Sequence, residues 1–89
     1  MSTTHPRRHE ARVNITLNGQ NGDMSDPVPF DATDQQIKHW SLEAIRSGTV
    51  SGISPRVAGS LEGCVIDRFP ATATVPVNRI FVRPRTPFG

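Results

Sequence analysis

Three residues could together perform nucleophilic chemistry: Cys64 as a thiol nucleophile, His39 as a base and Asp67 as the group that orients it. The neighbours of Cys64 argue against that use. It opens the apolar run Cys64-Val65-Ile66, where a cysteine behaves as a small buried hydrophobe with an inert thiol. His39 has a simpler partner in Glu43, four residues on along a helix. His5 and His9, with Glu10 adjacent, have the spacing of a metal pair. They fall in a polar stretch with no third ligand nearby, and such a stretch does not preorganise a site. The expectation is therefore a chain that is not an enzyme, with no metal and no cofactor.

A different chemistry is written near the C-terminus. In Arg79-Ile80-Phe81-Val82-Arg83-Pro84-Arg85 the alternation of a strand carries Arg79, Phe81, Arg83 and Arg85 toward one side. Guanidiniums interleaved with an aromatic ring suit acidic protein segments, or phosphates with a stacked base. Pro84 to Gly89 reads as an extended tail whose one large apolar group is Phe88. The candidate partner-binding residues are thus Arg79, Phe81, Arg83, Arg85, Phe88 and Gly89.

These residues need a scaffold, and its centre is the segment 33–48. Thr33 and Gln36 form a capping box, Asp34 complements the helix N-terminus and Arg46 the C-terminus. Gly48 supplies the left-handed residue that closes the last turn. Ile37, Trp40, Ser41, Ala44 and Ile45 line one face, so the spacing predicts a helix over 34–47 with Trp40 at the middle of its buried stripe.

Before the helix, Ala11 to Asn18 alternates, with Ala11, Val13, Ile15 and Leu17 on one face, as a half-buried strand does. The turn formers from Asn18 to Asp23 predict a reversal. A weak second strand is expected at Met24 to Phe30, confined to a sheet edge by Pro27 and Pro29. After the helix, Gly48 to Ser60 reads as a long connection with a short turn of helix at 54–57. Gly63 to Phe69 reads as a strand, Ala71 to Val77 as a short edge strand or loop, and Arg79 to Arg83 as the last strand. The domain plan is a disordered tail at 1–10, a single domain at 11–83 and an extended tail at 84–89.

Composition narrows the class. A chain of 89 residues with five aromatics builds one modest core. One cysteine permits no internal disulfide, and no apolar run is long enough for a membrane span or signal peptide. A cytoplasmic protein without a membrane partner is expected, as a monomer or weak dimer. Nine arginines to one lysine point to a GC-rich coding sequence, bacterial or from a phage. The net charge of +2 is uneven: residues 13–34 carry −4 and residues 68–89 carry +4, which favours encounter with acidic partners.

The predicted class is α+β, a small mixed sheet of about four strands on one helix. The order hairpin, helix, long loop, two further strands and a basic tail ending in glycine resembles the ubiquitin-like β-grasp superfamily, in ββαββ order, over residues 11 to 89. The resemblance implies parallel pairing of the first and last strands at the sheet centre. It also implies a non-enzymatic protein-interaction module, using its sheet face or its basic C-terminal strand and tail. Pro87-Phe88-Gly89 lacks the terminal Gly-Gly of modifiers and sulfur carriers, so Gly89 enters as a contact residue. The alternative is a small basic nucleic-acid-binding protein that uses the same Arg/Phe strand.

Overall fold

The sheet begins with a reversal two residues long. Asn18 and Gly19 both take positive φ (51° and 76°), the geometry whose twist matches that of a hairpin's strands. They join β1 (Glu10–Leu17) to β2 (Gln20–Asp23). In this computed structural model, which describes residues 8–57, 61 and 63–85, β3 (Val28–Pro29), α1 (Asp34–Arg46), a 3₁₀ turn (Pro55–Val57), β4 (Cys64–Phe69) and β5 (Asn78–Pro84) follow. The result is a small α+β unit with a mixed five-stranded sheet in the order β2-β1-β5-β4, β3 pairing with β1.

The second strand differs from the sequence reading. Residues 20–23 pair with β1 as β2, and the proline segment contributes only the short β3. The reason lies in Gly22, which faces inward where a hydrophobic residue would normally announce a strand. A Cβ there would stand 2.2 Å from the Ser51 carbonyl oxygen and 2.8 Å from Val50 Cγ1, so the position that should signal the strand has no side chain. Between β2 and β3, Met24 N–H still donates to the Val13 carbonyl at 2.9 Å. Beyond β3, Phe30 N–H donates to the His9 carbonyl at 2.9 Å, so the segment follows β1 across its prolines.

At the sheet centre β1 and β5 run parallel, with Val13 opposite Ile80 and Ile15 opposite Val82. All four are wholly buried under the helix, which is why the two most apolar strands are neighbours. β4 pairs antiparallel with β5 from Cys64 opposite Pro84 to Phe69 opposite Arg79. Pro84 thus belongs to β5, where the sequence reading ended the strand at Arg83. As the last strand residue it has no onward ladder to support with an amide. Residues 71–77 form a loop, closed by Thr72 N–H donating to the Val75 carbonyl at 2.7 Å.

Helix α1 is held at both ends. Gln36 N–H donates to Thr33 Oγ1 at 3.1 Å and Thr33 N–H to Gln36 Oε1 at 3.0 Å, completing the capping box. Gly48 (φ +75°) follows the C-cap, and Thr49 donates from both its amide and its hydroxyl to the Ala44 carbonyl. Arg68 of β4 ties the N-terminus to the sheet, donating to the Phe30 carbonyl at 2.8 Å and pairing with Asp34 at 2.6 Å.

The wholly buried helix residues are Ile37, Ser41 and Ile45, whereas Trp40 is only half-buried. The sequence stripe is therefore rotated: small Ser41 occupies the line of closest approach to the sheet, and bulky Trp40 is displaced to the flank. Ser41 Oγ donates to Met24 Sδ at 3.7 Å. Among the described residues, no helix is long and apolar enough to cross a membrane.

Candidate functional site on the open sheet face

Because one face of the sheet lies under α1, alternation sends every second residue of each strand to the other face, which no helix or strand of the described residues covers. The register sets these residues in rows: Arg12 beside Arg79 beside Phe69, Asn14 beside Phe81 beside Asp67, and Arg83 beside Val65. Toward β2 the face is a polar ladder. Asn14 donates to Asn21 Oδ1 at 3.1 Å and Asp23 Oδ1 at 2.7 Å, and Asn21 donates back to Asn14 Oδ1 and to Thr16 Oγ1 at 2.8 and 2.9 Å.

Toward β4 the face is aromatic and cationic. The Phe69 and Phe81 rings meet edge-on, centroids 5.4 Å apart at 72°. The Arg79 guanidinium lies 5.6 Å from the Phe69 centroid and 5.7 Å from that of Phe81, within cation–π range of both. Arg79 Nε is buried without a hydrogen-bond partner. The two rings thus fix the guanidinium in place, and no carboxylate of the described residues neutralises it. Arg12, its cross-strand neighbour, likewise pairs with no described carboxylate. The two border a shallow depression of about 200 Å³ with Asn14, Asp23, Ile80 and Phe81. Arg83, by contrast, is spent on Asp67, with which it forms an ion pair.

Of the residues singled out in the sequence, Arg79 and Phe81 stand together on this face and Arg83 at its edge. Arg85 is exposed just past β5. Phe88 and Gly89, and with them most of the expected tail, lie outside the described residues. Sequence reasoning missed Arg12 and Phe69. Arg12 was legible as an outward position of β1, but only strand order makes it a neighbour of Arg79. Phe69 was counted as the end of an apolar strand, although it is two positions from Asp67 and shares its outward side.

The nucleophilic set disperses. His39 Nε2 holds Glu43 at 2.6 Å on the helix surface, and Asp67 holds Arg83. Cys64 is buried, and that burial pushes its thiol pKa up, partly opposed by Lys38. Among the described residues no group of three or more His, Cys, Asp or Glu is arranged to hold a metal ion. A second concavity, about 340 Å³, opens between α1 and the proline segment beside Trp40, Met24 and Val28. Comparison of the chain with protein-family models, with curated proteins and with solved structures finds no match in any of the three.

Proposed function

We propose that the chain is a non-enzymatic protein-interaction module of ubiquitin-like β-grasp order, acting in the cytoplasm and holding its partner on the open sheet face along β5 and β4. The fold half of this reading is supported by an initial hairpin, one helix, and a last strand that returns parallel to the first at the sheet centre. Fold alone does not assign function. One observation carries the binding half. Phe69 is the exposed large hydrophobic of the described residues, at 42% exposure, and it stands beside an arginine that rings hold and no described carboxylate neutralises. Aromatic and arginine side chains together are what interface hot spots are made of.

The nucleic-acid reading draws on the same arginines and is the weaker of the two. Arg12, Arg79 and Arg83 share their face with the outward positions Glu10, Asp23 and Asp67, so the face is balanced in charge. A polyanion needs a track of unopposed cations.

The test is a random peptide library selected on the immobilised full chain, with counter-selection on the double variant Phe69→Ser, Arg79→Gln. Both substitutions lie on the uncovered face, so the variant should fold. The reading requires peptides that bind the chain and lose the variant. Peptides that bind both equally, or none at all, would overturn it.

A further inference from the structure

Parallel register sets Arg12 directly beside Arg79 on neighbouring strands, whose backbones run roughly 4.8 Å apart. Like charges set side by side on neighbouring strands repel, and the usual remedy is a shared carboxylate. Among the described residues neither has one. The outward carboxylates of the face have other partners: Asp67 is paired with Arg83, Asp23 accepts from Asn14 at 2.7 Å, and Glu10, two residues before Arg12, has an interaction of its own. What remains is a shallow depression flanked by two guanidiniums and, on the β2 side, by Asp23 with its Asn14 partner, with Phe69 exposed next to Arg79.

We propose that the Arg12 and Arg79 pair is a receptor for one carboxylate of a partner peptide, an aspartate or glutamate, with an adjacent apolar side chain of that peptide lying on Phe69. This rests on the open face being the binding surface and adds the chemistry of what binds there. A guanidinium pair recognises a planar carboxylate through parallel N–H donors, and a side chain held against rings loses little freedom on binding. The charge balance of the face selects the ligand further. A segment with one carboxylate set beside apolar and neutral residues brings a single negative charge near Asp23, which lines the same depression, whereas a run of phosphates brings several against both Asp23 and Asp67.

The experiment divides the peptide library in two, one half containing Asp and Glu and the other built without them, each selected on the full chain. Binders are expected from the acidic half only, with an apolar residue next to the acid. For the best of them, Arg12→Gln should weaken binding at least tenfold. Arg56→Gln, which removes an exposed charge on the 3₁₀ turn, should change it less than twofold. Binders of similar affinity from the acid-free half, displaced by Phe69→Ser, would overturn the carboxylate proposal while leaving the open-face reading intact. Acidic binders indifferent to Arg12→Gln and to Phe69→Ser would overturn both. A 20-nucleotide oligo-dT that binds more tightly than the selected peptides at physiological salt would overturn both in favour of a nucleic-acid surface.

Discussion

Ile80 and Phe81 are adjacent in one strand and belong to different economies. Ile80 faces the helix, is wholly buried and belongs to the apolar core cluster. Phe81 faces away, half-covered by an arginine and another phenylalanine. The inner face is closed by burial, with Val13, Ile15, Ile80 and Val82 locked beneath Ile37 and Ile45. The outer face is held by weaker directional contacts that leave a ring and two cations available. The contrast teaches that β5 separates its two sides: even-numbered positions are given to the core, which leaves odd-numbered ones open for the recognition proposed above.

The most severe way to probe the inner side is Ile80→Ala, which should cost about 2–5 kcal/mol by loss of burial and creation of a cavity. Urea unfolding measures it, and a loss under about 1 kcal/mol would mean that the inner face is not the core. Next is Gly22→Ala, which drives a methyl into the Ser51 carbonyl and Val50. Overpacking of this kind costs about 1–3 kcal/mol. A melting temperature equal to that of the parent would show that the loop at 50–52 does not close on β2.

On the outer side, a double-mutant cycle with Asp67→Asn and Arg83→Gln should return a coupling of about 0.2–1 kcal/mol, as for other exposed ion pairs. A coupling above 2 kcal/mol would make the outer face a structural element in its own right. The smallest effect concerns Cys64. Burial raises its pKa in the folded state, so the unfolded chain ionises first. The stability contribution is whole below the unfolded value and is lost as pH rises from there toward the folded value. Cys64→Ala should therefore flatten the decline of stability above about pH 9. An unchanged alkaline profile would place the thiol in water.

The helix was legible almost to the residue, because capping and termination are local: Thr33 and Gln36 act within one turn at the start, and Gly48 within a turn of the end. Strands β1 and β5 were legible because their inward centres are branched and apolar (Val13, Ile15, Ile80, Val82), and β4 because of its apolar run Cys64-Val65-Ile66. Strand β2 was not, since its inward residues are a glutamine and a glycine, Gln20 and Gly22, and its outward ones, Asn21 and Asp23, read as turn formers. Trp40 was misplaced at the centre of the stripe because periodicity gives a face but not the point of closest approach, which the small Ser41 occupies. The candidate site was half legible. Arg79, Phe81 and Arg83 share a strand, so alternation groups them. Arg12 lies 67 positions before Arg79 in the chain, and only the parallel pairing of β1 with β5 makes them neighbours.

The most direct measurement is an amide chemical-shift map of the isotope-labelled full chain, titrated with an acidic peptide selected as above. The account predicts shifts centred on Arg12, Asn14, Phe69, Arg79 and Phe81, with Ile37 and Ile45 of the helix unmoved. Shifts centred instead on Met24, Val28 and Trp40, around the concavity beside the proline segment, would contradict it.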